Sequence, residues 1–164
     1  MIINLKNKDT LQVNEFHFKC SIGKKGLSQE KLEGDLKTPK GLYQFNTLYF
    51  RSDRLEKPKT KLKVIEIKKN MGWCNDIKYP KKYNKLIKTE KKVRHEKMFR
   101  FDRKYDFVIP IEYNYKNPMI NKGSAIFFHL TNSYKPTAGC IALNLNDFLI
   151  FLKLLDKENK IKIF

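Results

Sequence analysis

The sequence has few of the residues that mark several common protein classes. It contains only three cysteines, Cys20, Cys74 and Cys140, and they are too far apart in the chain for a Cys-x-x-Cys pair. Three cysteines allow at most one disulfide and leave a thiol over, which excludes a disulfide-stapled scaffold and gives no support to a structural zinc site. We therefore expect one functional thiol, a reducing compartment, no metal and no cofactor.

Long apolar runs are also missing. No stretch reaches the ~18 consecutive apolar residues that a membrane-spanning helix needs. Residues 1–9 lack the basic flank, the apolar core and the cleavage site of a secretory signal. From the sequence we expect a single domain over residues 1–164, no transmembrane segment and a cytoplasmic location.

Acidic residues are scarce beside basic ones, and the formal net charge is +18. Residues 68–104 hold 14 Lys and Arg against 4 Asp and Glu, which is a net charge of +10. Such an excess suits nucleic acid, an anionic membrane surface or another anionic polymer. An AT-rich genome, which favours lysine and asparagine over arginine, explains the excess equally well. No zinc-finger, RNP, GXXG or helix-turn-helix pattern is present, so we expect no dedicated nucleic-acid binding.

The first half of the sequence predicts strands. Residues 16–22 alternate in polarity and end at a glycine, which predicts a strand and a turn, with His17 on the strand face. Residues 42–50 predict another strand, and the even spacing of its aromatic residues predicts that they share one face. Those residues are Tyr43, Phe45 and Tyr49. Residues 62–67 predict a further strand.

The second half predicts three more strands and one helix. Residues 106–114 predict an edge or bulged strand, because Pro110 has no N–H to donate to a ladder. Asn144, with an acid three residues later, predicts the N-cap of an amphipathic helix. The remaining predicted elements are a central strand at 125–130, the helix itself at 146–156 and a closing strand at 160–164. The fold class is therefore mainly β with one C-terminal helix.

A long polar stretch with weak periodicity, residues 68–103, lies between these halves. A loop of this length is uncommon in a compact domain and often serves as a lid or a binding loop, so the predicted fold includes a long basic loop. Trp73, the only tryptophan, either forms an aromatic wall of a cleft or, as we prefer, anchors this loop. His95, between Arg94 and Glu96, either binds a carboxylate of a ligand or pairs with Glu96.

The residues with reactive chemistry are concentrated in the last third of the chain. An apolar run ends at His129, and a short polar loop then leads to Thr137-Ala138-Gly139-Cys140. Cysteine is a nucleophile as the thiolate, and a nearby imidazole is expected to lower its pKa and act as base. A packed, inert thiol is the alternative. The backbone amides of Gly139 and Cys140 are candidates to stabilise an oxyanion. Candidates to orient the imidazole are a backbone carbonyl, Tyr113, Thr131 and Ser133.

The segment around Cys140 resembles the L,D-transpeptidase catalytic domain, or YkuD family, whose pattern is a histidine, a loop and then Ser/Thr-x-Gly-Cys. An earlier segment, residues 34–43 with Thr-Pro-Lys-Gly inside it, resembles the family's early Thr-Pro-x-Gly-x-Phe/Tyr segment. The resemblance covers roughly residues 22–144. Residues 72–76 and 94–96 resemble a compact, stand-alone branch of the family.

The resemblance implies a YkuD-like β-sandwich and an enzyme of peptidoglycan biosynthesis, with effects on cell wall and cell shape. Cys140 would attack the carbonyl at the L-centre of diaminopimelate in a stem peptide, expel the next D-residue and form a thioester. An amine of another stem peptide would then give a cross-link, and water would give carboxypeptidase action. Because work on the cell wall conflicts with a cytoplasmic location, another export route to the wall or periplasm would be required.

The sequence departs from the pattern of many family members at two positions. Ala138 replaces a histidine, and Ala142 stands where an arginine suited to a substrate carboxylate is expected. The candidate substrate-binding residues are Thr137, His95, Trp73, Lys135 and Arg94. Two other functions stay open: an L,D-carboxypeptidase or amidase acting on muropeptides, and a non-catalytic basic module that binds anionic glycan.

Overall fold

The computed structural model describes residues 1–164 and consists of fifteen strands and one helix. The strands are β1 Ile2–Leu5, β2 Thr10–Val13, β3 Phe16–Lys19, β4 Leu27–Ser28, β5 Thr38–Pro39, β6 Gly41–Gln44, β7 Thr47–Phe50, β8 Lys63–Glu66, β9 Met71–Cys74, β10 Leu86–Lys88, β11 His95–Lys97, β12 Phe107–Pro110, β13 Phe127–Leu130, β14 Ile141–Leu143 and β15 Lys160–Ile163. The helix, α1, is Leu145–Leu154. No helix has the length and the apolar character that crossing a membrane requires.

Two five-stranded sheets form the body of the protein. The first has the strand order β3-β2-β1-β15-β6, and the second has the order β14-β13-β12-β7-β8. Strand β1 pairs in parallel with β15, although one lies near the start of the chain and the other near its end. Strand β13 pairs in parallel with β14 on one side and antiparallel with β12 on the other. The mainly β fold is confirmed.

The main hydrophobic core lies where the two sheets and the helix meet. In the first sheet, strands β1, β2 and β15 each bury every second residue, as expected for strands with one face on a core. The core side chains of these strands are Ile3, Leu5, Leu11, Val13, Ile161 and Ile163. The second sheet adds Phe107, Ile109, Phe128 and Leu130, and the helix adds Phe148, Phe151 and Leu152. The arrangement is a β-sandwich with one helix on the core.

The predicted helix cap is confirmed. The Asn144 backbone is extended, with φ −69° and ψ 164°, and its side-chain oxygen accepts a hydrogen bond of 2.9 Å from the Asp147 N–H. This bond satisfies one of the N–H groups that a helix leaves unpaired at its start. The strands predicted at 62–67, 125–130 and 160–164 are present as well, with the second in an internal position of its sheet.

The single strand predicted over residues 42–50 is wrong. The chain breaks at Phe45 and Asn46, so that β6 belongs to the first sheet and β7 to the second. At the break the Phe45 N–H donates to the Asn159 carbonyl, and the Asn46 carbonyl accepts from the Lys63 N–H. The aromatics therefore do not share one face: Phe45 lies in the main core, and Tyr49 packs in a second cluster.

The edge position predicted for residues 106–114 is also wrong. Strand β12 lies inside the second sheet, between β13 and β7. Pro110 is tolerated because it is the last residue of the strand. The next hydrogen bond of the ladder is donated by the following residue, from the Ile111 N–H to the Ile126 carbonyl at 2.9 Å.

The long basic stretch folds as a three-stranded sheet of order β10-β9-β11, rather than as a structureless loop. Trp73 and Met98 are buried beneath it and pack with Val108 and Phe127 of the second large sheet. The Trp73 ring meets the Phe127 ring edge-on, with 5.2 Å between centroids. The small sheet therefore covers the outer face of β12 and β13, and Trp73 anchors it there.

Candidate functional site

His129 and Cys140 lie on the same face of the second large sheet. Successive residues of a strand point to opposite faces, so Phe128 and Leu130 face the main core and His129 faces away from it. The parallel register places His129 beside Ala142. Cys140 precedes Ala142 by two residues and therefore shares its face.

A cavity of about 640 Å³ opens on this face, and both residues line it. Cys140 is only 8% exposed and His129 only 7%, so both side chains lie at the bottom of the cavity. Gly139, Thr137 and Lys135 of the predicted site line it as well.

The loop that carries Cys140 is braced by the early Thr-Pro-x-Gly segment. The buried Thr38 hydroxyl donates to the Gly139 carbonyl at 2.7 Å and accepts from the Gly23 N–H at 2.9 Å. Gly139 has φ +145°, and an added Cβ would lie 2.8 Å from the Lys37 carbonyl oxygen. A side chain at Gly139 would therefore push these two segments apart.

This brace orients the peptide group between Gly139 and Cys140. In a trans peptide the carbonyl and the N–H point in opposite directions, so the Thr38 hydrogen bond fixes the direction of the Cys140 N–H. The Cys140 N–H has no acceptor in the structure. The Gly139 N–H, in contrast, donates to the Thr137 hydroxyl at 3.1 Å. Of the two amides expected to stabilise an oxyanion, only the one of Cys140 is free.

The Thr137 side chain holds the loop together rather than reaching into the cavity. Its hydroxyl donates to the Cys140 carbonyl at 2.6 Å while it accepts from the Gly139 N–H. Both hydrogen-bonding directions of the hydroxyl are thus used within four residues. The expected contact between Thr137 and a substrate gains no support from this geometry.

A backbone carbonyl orients the imidazole, which was one of the alternatives from the sequence. His129 Nδ1 lies 2.8 Å from the Leu130 carbonyl oxygen. A carbonyl only accepts, so Nδ1 carries the proton and Nε2 is left as the basic nitrogen. The Tyr105 ring packs against the imidazole, with 5.5 Å between the ring centroids.

Burial keeps both reactive groups uncharged. Loss of solvent lowers the pKa of His129 to about 4, although the hydrogen bond to Leu130 acts in the opposite direction. Loss of solvent likewise raises the pKa of the Cys140 thiol to about 12, despite the Phe127 N–H that stabilises the thiolate. The expectation of a lowered thiol pKa is therefore wrong. Both shifts favour the uncharged forms, a neutral thiol and a neutral imidazole.

The thiol also has a partner in the segment that leads into β13. Cys140 Sγ lies 3.3 Å from the Ala125 carbonyl oxygen. Ala125 has φ +53°, and its N–H donates at 3.0 Å to Asn84 Oδ1. The same oxygen accepts from Trp73 Nε1 at 2.8 Å. The small sheet therefore positions the carbonyl that holds the thiol.

Three of the predicted substrate-binding residues do not line the cavity. Trp73 is 2% exposed and is an internal anchor, so the aromatic-wall interpretation does not hold. Arg94 binds the Asn75 carbonyl at 2.7 Å. His95 Nδ1 lies 2.7 Å from the Val93 carbonyl oxygen, and its ring covers Gly72. His95 and Glu96 are neighbours on β11, so they point to opposite faces, and only Glu96 reaches the cavity.

Sequence reasoning missed a polar network on the cavity wall. The Tyr105 hydroxyl and Arg100 Nη1 both donate to Glu96 Oε1, at 3.2 Å and 2.9 Å. Arg100 also binds both carboxylate oxygens of Asp102, and its guanidinium lies 4.9 Å from the centre of the Tyr105 ring. Glu33 and Lys104 line the cavity too. Of these residues, only Glu96 could have been found from the sequence, because the alternation of side chains along β11 directs it to the cavity.

No group of three or more His, Cys, Asp or Glu side chains converges as a metal site requires. Cys20 and Cys74 are buried and are not bonded to each other or to Cys140.

The fold and the cavity define a β-sandwich protein with a cysteine and a histidine on one sheet face. The family model of the L,D-transpeptidase catalytic domain, YkuD, matches residues 1–163 of this chain. Comparison with the curated proteins finds no match. The chain belongs to the L,D-transpeptidase catalytic domain family, whose activity is directed at peptidoglycan.

Proposed function

We propose that the chain is an L,D-transpeptidase that works on peptidoglycan stem peptides through a thioester on Cys140. One observation carries the proposal. Cys140 and His129 share one sheet face at the bottom of one cavity, and the Cys140 N–H there has no acceptor. A nucleophile, a base and an oxyanion donor are the three groups that acyl transfer needs.

The first half of the proposed reaction forms the thioester. As Sγ of Cys140 bonds to the substrate carbonyl carbon, the thiol proton passes to Nε2 of His129. The free Cys140 N–H donates to the oxyanion, a contact whose loss typically costs roughly 10²–10³ in rate. The carbon–nitrogen bond then breaks, and the imidazolium returns the proton to the leaving amine of the D-residue.

The second half regenerates the thiol. An amine of another stem peptide attacks the thioester carbonyl, His129 accepts the proton of that amine, and the proton returns to sulfur as the carbon–sulfur bond breaks. Attack by an amine gives a cross-link or exchanges the terminal D-amino acid. Attack by water gives carboxypeptidase action by the same steps. The neutral imidazole favoured by burial suits both halves, because each begins with a proton acceptor.

Two lysines support recognition of a substrate carboxylate where the family's arginine is absent. Ala142 lines the cavity beside His129 and offers no charge. Lys135 and Lys104 also line the cavity, and neither has an ion-pair partner. The Lys104 backbone is fixed near the histidine, because the Leu130 N–H donates to its carbonyl at 2.9 Å. We assign these two ammonium groups to the carboxylate at the end of the donor peptide.

The proposal is tested by incubating the protein with a diaminopimelate tetrapeptide and measuring the intact mass. The expected result is a covalent adduct of the tripeptide acyl group on Cys140, together with release of the terminal D-residue. Product analysis then separates cross-linked dimer and exchanged peptide from hydrolysed tripeptide.

Cys140→Ala is the decisive variant, and Cys20→Ala is its matched control. Both residues are buried thiols, but Cys20 lies outside the cavity around Cys140. We expect Cys140→Ala to form no adduct and Cys20→Ala to react within a few-fold of the unmodified protein. Full turnover by Cys140→Ala would overturn the thioester on Cys140, and binding of the peptide with no turnover by any form would favour the non-catalytic module instead.

A further inference from the structure

Charged side chains crowd the cavity around Cys140, and most of them neutralise one another. Glu96 and Asp102 both bind Arg100, with nitrogen–oxygen distances of 2.9 Å and 2.6 Å. Lys31, which is almost fully buried, binds Asp35 at 2.5 Å. The lining carboxylates are Glu33, Glu96 and Asp102, and Glu33 is the one with no cationic partner.

Glu33 is nevertheless held firmly in place. The Tyr83 hydroxyl donates to Glu33 Oε2 at 2.5 Å, and the Ser124 hydroxyl donates to the same oxygen at 2.7 Å. Both donors are buried, and burial raises the pKa of Tyr83, so its hydroxyl keeps the proton that it donates. The Glu33 N–H donates to the Asn121 carbonyl at 3.0 Å. The second carboxylate oxygen, Oε1, has no donor.

The position of Glu33 relates it directly to the thiol. Ser124, which binds Glu33, is followed by Ala125, whose carbonyl oxygen lies 3.3 Å from Cys140 Sγ. The Lys31 ammonium does not pair with Glu33, because it donates to Asp35 and, at 2.8 Å, to the Leu32 carbonyl. An oriented carboxylate with a free oxygen therefore lines the same cavity as the Cys140 thiol.

We propose that Glu33 binds a primary ammonium group of the substrate next to Cys140. The inference rests on the proposed acyl transfer and adds the chemistry that this wall recognises. An ammonium group supplies the hydrogen-bond donor and the charge that Oε1 lacks, and hydrogen bonds between ions are among the stronger ones. The ammonium belongs either to the donor peptide or to the acceptor, and an acceptor ammonium gives one proton to the Glu33 carboxylate before its neutral amine attacks the thioester.

The experiment uses two donor tetrapeptides that differ only at the side-chain amine of diaminopimelate, which is free in one and acetylated in the other. Acylation of Cys140 is followed by intact mass in the unmodified protein, in Glu33→Gln and in Glu30→Gln. Glu30 is an exposed glutamate of the same segment and serves as the matched control. If Glu33 binds the donor, Glu33→Gln slows acylation by the free-amine peptide about 10-fold and leaves the acetylated peptide unchanged.

If Glu33 binds the acceptor instead, acylation is unchanged and the ratio of cross-linked to hydrolysed product falls about 10-fold in Glu33→Gln. Both patterns support ammonium binding and identify its source. Unchanged acylation together with an unchanged product ratio overturns the inference. Equal slowing of both peptides in Glu33→Gln also overturns it, because a merely structural role does not distinguish the two amines.

A separate measurement distinguishes failure of the proposed acyl transfer from failure of ammonium binding by Glu33. If the unmodified protein forms no adduct with either peptide, the acyl-transfer proposal fails, and calorimetric binding then tests Glu33 alone. Ammonium recognition requires that the free-amine peptide binds more tightly than the acetylated one and that Glu33→Gln removes the difference. Equal affinity of the two peptides for the unmodified protein would sink the inference.

Discussion

At the scale of single residues, the pH dependence of the reaction reports on His129. Burial lowers its pKa to about 4, so the imidazole binds a proton only in acid and stays a neutral base through pH 5 and 6. We expect the acid limb of kcat/KM to lie near pH 4, about two units below that of an unperturbed histidine. The measurement is kcat/KM against pH, with circular dichroism at each pH to confirm that the fold persists. A limb near pH 6.5 with an intact fold would contradict this assignment.

Cys140 gives a second prediction at this scale. Because burial raises the pKa of its thiol to about 12, little thiolate exists at neutral pH. We expect iodoacetamide to alkylate Cys140 more slowly than a free thiol at neutral pH, with a rate that keeps rising well above the ordinary thiol pKa of ~8.5. Peptide mapping by mass spectrometry assigns the alkylation to Cys140 rather than to Cys20 or Cys74. A rate that levels off at neutral pH would instead indicate a preformed thiolate.

At the scale of the elements, Asn84 connects the small sheet to the segment that leads into β13. Its side chain makes four hydrogen bonds, to Trp73, Ala125, Tyr113 and Asn114. Each buried group left without a partner typically costs ~1–3 kcal/mol. We expect Asn84→Ala to lower the free energy of unfolding by about 2–4 kcal/mol. Acylation should also slow, because Ala125 loses the anchor that positions its carbonyl at the thiol.

Asn70→Ala is the matched control for Asn84→Ala. Asn70 is an exposed asparagine near β9 whose side chain makes no hydrogen bond. Its removal should change the free energy of unfolding by less than about 0.5 kcal/mol, as is usual for surface substitutions. Denaturant unfolding of both variants measures the difference. Equal stability of Asn84→Ala and Asn70→Ala would show that the asparagine bridge between the sheets contributes nothing.

The elements that the sequence predicted correctly carry their own local pattern. The strand β13 is buried at all four residues and apolar at three of them, and the helix has Asn144 as a cap together with a buried stripe. The small sheet has neither signal, because β10 and β11 are three residues long and rich in lysine or other charged residues. These strands are held in place by the packing of Trp73 and Met98 on the second large sheet, rather than by a polar–apolar alternation of their own.

The same distinction applies to the candidate site. Cys140 and His129 belong to one short motif, so the sequence indicated them, and their catalytic roles stay predictions. Glu33 and Tyr105 reach the cavity from separate segments and are brought together only by folding. His95 was misplaced because its orientation depends on a strand that the sequence did not predict. Once β11 is known, alternation alone directs Glu96 to the cavity and His95 away from it.

At the scale of the whole molecule, the positive charge predicts how the protein binds peptidoglycan sacculi. Lys81, Lys85 and Lys88 are exposed residues of the small sheet and its loop, and they have no ion-pair partner. If this surface recruits anionic sacculi, binding should weaken steeply as salt rises, because exposed charges are screened over ~10 Å at 0.1 M. Neutralising the three lysines together should raise KM severalfold and leave kcat unchanged. Sacculus pull-down across a salt series and steady-state kinetics measure both effects.

The control for this triple variant removes the same charge elsewhere. Lys6, Lys57 and Lys157 are exposed lysines outside the small sheet. If position matters, this second triple variant should bind sacculi more tightly than the first. Equal weakening of the two variants would show that only the net charge counts, and binding that does not change with salt would rule out electrostatic recruitment.

The parallel pairing of β1 with β15 sets a condition on how the chain reaches its native state. Ile2 to Leu5 are aligned with Lys160 to Ile163, so β1 acquires this neighbour only after all the residues between the two strands have been made. Closing such a distance costs chain entropy before any contact repays it, which slows folding. Until β15 has been synthesised, the edge of β1 that pairs with it has no partner strand. The growing chain is then most exposed to mispairing, and the ribosome-bound protein is where a chaperone would help it most.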